Sequence, residues 1–222
     1  MTGTLIFLAV LLALCLGWIV RQSINVRPWV AETPGPWAPD RLPPAATAAR
    51  VGLGVFLAVV TSFFMLSISA YTMRMDTGND WMSVTPPGLL WVNSVILLLG
   101  SLALQLAWNA ARHDDPERLR IGLLAGGALT TLFIVGQMVA WWQMHRAGGY
   151  LTGNPAASFF YLVTALHALH LLGGLAAWAR TVARVRRGDT PAQIRVSVEL
   201  CALYWHFLLL LWLGLFALLL ST

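Results

Sequence analysis

Six stretches of the chain carry almost nothing but apolar side chains: residues 4–20, 52–73, 88–111, 120–144, 157–179 and 196–220. The apolar positions in each are continuous rather than alternating, so none reads as a strand with one wet face. About 20 residues at 1.5 Å each cross the hydrocarbon of a bilayer; five runs exceed that and the first just meets it. Backbone polar groups at that depth must be satisfied internally, which a helix does within one segment. The pattern predicts an all-α integral membrane protein with six transmembrane helices, one N-terminal helix followed by a five-helix bundle.

The punctuation between the runs agrees. Thr85-Pro86, Asp115-Pro116, Asn154-Pro155 and Thr190-Pro191 each pair a capping residue with proline at the first helical position. Gln193 adds a capping-box partner for Thr190. Residues 21–50 hold Pro28, Pro34, Pro36, Pro39, Pro43 and Pro44, which forbid a helix there and predict a stiff, extended linker. Three regions follow: an N-terminal helix at 1–20, a Pro-rich linker at 21–50 and a five-helix core at 51–222. The opening MTGT lacks the positive charge of a signal peptide and no small-x-small cleavage site follows, so the first run is expected to be retained.

Composition changes the picture little: 58% of residues are hydrophobic and 10% charged, as in a membrane protein. Charge adds a direction. All 14 basic residues are Arg, giving a formal net charge of +5. Twelve of the 14 fall in segments 21–50, 112–120 and 180–195, and only Arg74 and Arg146 in the alternate loops. That asymmetry places the three basic segments in the cytoplasm and both termini outside. The arginines are then expected to face anionic headgroups rather than nucleic acid. Cys15 and Cys201 both fall inside spans and read as small apolar groups, not a disulfide.

Ionisable groups at membrane depth are costly, so each needs a role. His167 and His170, three apart, share one side of the fifth span. Glu199 and His206, seven apart, share a stripe of the sixth, and Gln137 with Trp141 lies on the fourth. Counted from the span ends, His167 and His206 reach similar mid-depth. Three uses compete: haem ligation through His167 and His206, a proton path, or a packed polar core holding helices together. No proline interrupts a span and no internal repeat is visible, which disfavours a small transporter.

The run QMVAWWQMH, then FFYLVTALHALHLLGG, then VELCALYWHFLLLLW resembles subunit III of the haem–copper cytochrome oxidases. That family carries a Gln-x-x-Glu-Trp stretch, a Gly-x-His-Gly-x-His-Val stretch and a Val-Glu…Tyr-Trp-His-Phe-Val-Asp…Trp stretch. PPGLLWVNSVILLLGS is similar to its Asn-Thr…Leu-Leu-Ser-Ser helix, and the likeness covers about 52–220. Gln137, Trp141, His167, His170, Glu199, Tyr204, Trp205, His206 and Trp212 match family positions. Val60, Ala140 and Leu209 stand where the family often has carboxylates.

The resemblance implies a subunit without catalytic, cofactor-binding or metal-binding residues of its own. Haem and copper are expected in partner subunits, with subunit I, subunit II through the complex, and membrane phospholipids as partners, and no nucleic acid. Its role would be to stabilise the catalytic subunit and support proton uptake in a bacterial inner membrane, the whole complex reducing oxygen and moving protons. His167, His170, Glu199, His206 and Gln137 would form a buried polar core; Trp141, Tyr204, Trp205 and Trp212 would pack around it. Two other readings stay open: an accessory subunit of a nitric oxide reductase or quinol oxidase, and a b-type cytochrome using His167 and His206.

Overall fold

The computed structural model describes residues 48–77, 80–82, 85–149 and 154–221. The expected helix at 1–20, and all but the last three residues of the linker at 21–50, lie outside the described residues. The rest is helical: α1 Ala48–Thr77, α2 Leu89–Arg112, α3 Pro116–Arg146, α4 Pro155–Arg186 and α5 Pro191–Leu220. All five are long and apolar enough to cross a membrane. Helices α1, α3 and α4 run past both ends of their apolar runs, because polar end turns still gain backbone hydrogen bonds in the headgroup layer.

Capping chemistry fixes most helix starts. Asp115 Oδ1 accepts from the Arg118 N–H at 3.0 Å, and Asn154 Oδ1 from the Ala156 N–H at 3.0 Å. At α5 the Thr190 N–H donates to Gln193 Oε1 at 2.8 Å. One expectation shifts: α2 opens at Leu89, not at Pro86. Pro87 drives Pro86 out of helical geometry, so the first turn closes only through the Leu90 N–H on Pro87 O at 3.0 Å.

The described residues divide into two compact units, one ending at Ser69 and one beginning at Ala70. In the first, α1 carries Thr61, Ser62 and Ser67, each bonded to the carbonyl four residues back at 2.8–3.0 Å. This satisfies hydroxyls within the helix, as a membrane requires.

In the second unit, α2 packs on α3 and α5, and α4 packs on the same two, closing an antiparallel ring of four helices. The α2–α3 seam is the tightest. A Cβ built on Gly122 would lie 2.9 Å from the Ala103 carbonyl oxygen and from the nitrogen and Cβ of Ala107. Gly126, one turn on, would meet Leu104 Cγ at 2.6 Å. Small residues four apart let backbones approach where dispersion, not water, drives helix association.

Arginines tie the helix ends on one side of this ring. Arg195 of α5 donates to the carbonyls of Ala111 at 3.2 Å and Arg112 at 3.0 Å, capping the end of α2. Arg184 bonds Asp189 at 2.7 Å, Ser197 Oγ at 3.2 Å and the Gln193 carbonyl at 3.2 Å, bracing the α4–α5 turn. That turn closes at Gly188, whose φ of +91° suits glycine, with the Asp189 N–H on Arg184 O at 3.2 Å.

Candidate functional site

The titratable and amide groups singled out from sequence lie in three settings. His167 of α4 is fully buried. Its ring sits edge-on to Phe133 of α3 at 5.8 Å and tilted against Trp212 of α5 at 5.2 Å. Gln137, one turn along α3 from Phe133, is also fully buried. Asn93 of α2 is buried as well and packs on Gly136, where no Cβ would fit. Among the described residues, the side-chain polar atoms of Asn93, Gln137 and His167 make no hydrogen bond.

His206 of α5 faces α2. Its Nε2 lies 2.8 Å from Gln105 Oε1, and its Nδ1 pairs with Ser101 Oγ. An amide oxygen only accepts, so Nε2 carries the proton and Nδ1 accepts from the Ser101 hydroxyl. Gln105 Nε2 then donates to Asn109 Oδ1 at 3.4 Å. Ser101, Gln105 and Asn109 are four apart, so one stripe of α2 carries the whole string towards its C-terminus. Both imidazole nitrogens are thereby engaged, leaving no lone pair directed at a metal.

The remaining two groups sit on the α4–α5 side. His170 is half-buried and its Nδ1–H donates to the Leu166 carbonyl of its own helix at 2.7 Å. Its own carbonyl accepts from the Tyr204 hydroxyl at 2.9 Å, joining α5 to α4. Glu199 is half-buried one helical turn into α5 from the Arg195 cap. The five residues therefore do not line one cavity. His206 bonds to α2, while His167 packs among Phe133 and Trp212.

Indole N–H groups do most of the cross-linking. Trp205 Nε1 donates to Thr130 Oγ1 of α3 at 2.7 Å, and Trp212 Nε1 to Ser94 Oγ of α2 at 2.9 Å. Trp141 Nε1 donates to Thr164 Oγ1 of α4 at 3.0 Å, and Trp178 Nε1 to the Leu123 carbonyl of α3 at 2.8 Å. Trp141 and Trp178, both near span ends, turn into the bundle. A neighbouring hydroxyl or carbonyl satisfies the indole there, which position near a span end does not reveal. Trp142 is exposed, with the Arg146 guanidinium 3.9 Å above its ring.

The family model for cytochrome c oxidase subunit III matches residues 50–221. The chain is 31% identical over 170 residues to the probable cytochrome c oxidase subunit 3 of Mycobacterium leprae, covering 75% of this chain and 84% of that one. It is 30% identical over 172 residues to the subunit 3 of Synechocystis sp., covering 75% and 72%. With that of Thermostichus vulcanus it shares 29% over 173 residues, covering 76% and 85%. The chain belongs to the cytochrome c oxidase subunit III family. It is therefore an integral membrane component of an oxidoreductase complex, and its partners are other subunits of that complex.

Within this subunit III, no group of three or more His, Cys, Asp or Glu is placed to hold a metal among the described residues. The three positions where the resemblance leads one to expect a carboxylate are apolar and buried here: Val60 is 3% exposed, Ala140 0% and Leu209 8%. Sequence reading missed Ser94, Ser101, Thr130 and Thr164, the acceptors and donors that complete the core. The available signal was indirect: each buried tryptophan needs an acceptor, and short hydroxyl side chains on adjoining spans supply it. It also missed the Gly122-Leu-Leu-Ala-Gly126 spacing that marks the α2–α3 seam.

Proposed function

We propose that this chain is the non-redox third subunit of a bacterial terminal cytochrome c oxidase. Haem and copper reside in partner subunits, and electrons do not pass through this chain. The basic segments 112–120 and 180–195 face the cytoplasm, in keeping with the arginine asymmetry. The chain stabilises subunit I in the membrane and supports its proton uptake. His167, His170, Glu199, His206 and Gln137 act by holding helices together, not by binding a cofactor.

The observation that carries this reading is the engagement of His206. Its two ring nitrogens bond Ser101 and Gln105 of α2, so a haem iron shared with His167 would have to displace one of these partners. Val60, Ala140 and Leu209 stand where the resemblance leads one to expect carboxylates, which argues that support of proton uptake rests on the basic face and on contact with subunit I, not on an acidic relay inside this chain.

A mild-detergent purification of the tagged chain tests the reading, with mass spectrometry of co-purifying subunits and a reduced-minus-oxidised spectrum. Haem should arrive with a large oxidase subunit and leave with it when partners are stripped. Haem retained by the lone chain would overturn the proposal and make His167 and His206 ligands. Recovery of a nitric oxide reductase or quinol oxidase subunit instead would reassign the complex.

A further inference from the structure

One layer of the four-helix ring is built differently from the rest. Elsewhere a buried donor finds an acceptor: the Trp205 indole has Thr130, Trp141 has Thr164 and Trp212 has Ser94. Asn93 of α2, Gln137 of α3 and His167 of α4 break that pattern. They are 1%, 0% and 0% exposed, and none of their six side-chain nitrogen and oxygen atoms has a hydrogen-bond partner among the described residues.

Packing gathers the three into one region. Phe133, one turn from Gln137 on α3, meets the His167 ring at 5.8 Å and the Trp212 ring at 5.0 Å. Trp212 lies 5.2 Å from the His167 ring and bonds Ser94, the chain neighbour of Asn93. The Asn93 amide rests on Gly136, the chain neighbour of Gln137, where an added Cβ would collide with its Oδ1. Three of the four helices thus bring an unpaired polar group to the level of the Phe133–Trp212 pair.

Bulk water cannot reach a buried layer at membrane depth, and buried polar groups are nearly always paired with protein or with ordered water. The chemistry of the set decides which ligand it can take. Each amide offers an NH2 group and a carbonyl oxygen, and a neutral imidazole offers one N–H and one lone pair. A cation would satisfy only the oxygens and the imidazole lone pair; an anion would satisfy only the N–H groups. Either would bring a charge that these three side chains cannot offset. Apolar gases would satisfy none of them. Water donates and accepts at once, and a buried water makes about three hydrogen bonds.

We propose that this layer is a binding site for ordered water, held by Asn93, Gln137 and His167. The water supplies the hydrogen bonds that the three side chains do not make with one another. Helices α2, α3 and α4 are joined here through a ligand, whereas the indole–hydroxyl pairs join helices directly. Gly136 belongs to the site, because a larger residue would evict the Asn93 amide. The site requires only that the ring be buried in a membrane, so it holds whichever complex the chain joins.

Water-edited solid-state NMR of the full chain in lipid bilayers tests it. Magnetisation starts on water and is read at carbon-bound protons of the His167 ring and the Gln137 side chain. The exposed His113 ring is the wet reference and the buried Trp205 ring the dry one. Transfer to His167 and Gln137 should build up at a rate closer to His113 than to Trp205. Gln137→Leu should abolish transfer to the His167 ring, and His167→Phe should abolish transfer to Gln137.

Transfer as slow as that to Trp205 would show a dry layer and overturn the proposal. Shifts of Gln137 and His167 that follow the salt in the buffer would put an ion there instead. Unchanged transfer to His167 in Gln137→Leu would overturn a shared site. The measurement on the unsubstituted chain decides first, so a variant that does not fold leaves the proposal refutable. Haem retained by the lone chain would be seen in its absorption spectrum, not in water transfer, so this inference and the functional proposal fail distinguishably.

Discussion

Replacing Gly122 by alanine should break the closest approach in the ring. The added methyl would lie 2.9 Å from three atoms of α2, two of them backbone: the Ala103 carbonyl oxygen and the Ala107 nitrogen. Ordinary carbon contacts lie at about 3.5–4.0 Å. Backbone cannot rotate away, so α2 and α3 must separate by several tenths of an ångström along the whole seam. Overpacking of this kind costs about 1–3 kcal/mol. Alanine also favours a helix over glycine by about 0.5–1 kcal/mol, which partly offsets the clash. Gly173 on α4 is the matched control, since a Cβ there meets nothing within 4 Å. Gly173→Ala gains the same propensity without the contact, so the two variants should differ by about 1–3 kcal/mol, the overpacking cost alone. The assay is reversible unfolding of the full chain in mixed micelles, followed by circular dichroism. Equal stability of Gly122→Ala and Gly173→Ala would refute the claim that backbone proximity sets the α2–α3 seam.

Four further outcomes are expected. Thr130→Val keeps the shape of the side chain but strands the Trp205 N–H, and should cost about 1–3 kcal/mol; a cycle with Trp205→Phe should give a coupling of about 0.6–1.7 kcal/mol in the same unfolding assay. His206→Ala should cost about 1–3 kcal/mol by stranding Ser101 and Gln105, and the oxidase spectrum of the assembled complex should be unchanged. Ala140→Glu places a carboxylate at a fully buried position without a built partner, and should cost several kcal/mol, read as lost accumulation of folded chain in the membrane. Arg74, 2.7 Å from Asp80, holds that carboxyl below its ordinary range. The pair's contribution is therefore present above the ordinary value of about 3.9 and is lost as pH falls through the lowered one. Carboxyl NMR should show the depressed titration and its return to normal in Arg74→Gln.

The five helices from 48 onward were legible because their cause is one-dimensional. A long apolar run can only be a helix in a bilayer, and proline with an N-cap residue marks where it starts. Only α2 slipped, where Pro86-Pro87 delays the first turn. The side-chain network was less legible. Helical spacing placed His167 with His170 and Glu199 with His206 on shared stripes, but spacing fixes neither the rotation of a helix nor its neighbours. His206 meets Ser101 and Gln105, 105 and 101 residues away in sequence, because α5 packs on α2 as well as on α4. No local pattern contains that closure of the ring. Trp141 and Trp178 are hard to place from sequence for a related reason: a tryptophan near a span end suits headgroups or a bundle interior, and only the facing residue decides.

The three hydroxyls that accept indole N–H bonds also donate to the carbonyl four residues back in their own helices: Ser94 to Leu90 at 2.8 Å, Thr130 to Gly126 at 2.8 Å and Thr164 to Phe160 at 2.6 Å. Each is thus satisfied before its tryptophan arrives. Two of those tryptophans, Trp205 and Trp212, belong to α5, which leaves the ribosome after α2 and α3. The earlier helices can wait in the bilayer without an exposed hydroxyl seeking a wrong partner. Only when α5 inserts do its indoles bolt α3 and α2 to it at two depths. Membrane insertion of the earlier helices and closure of the ring thereby become separate events.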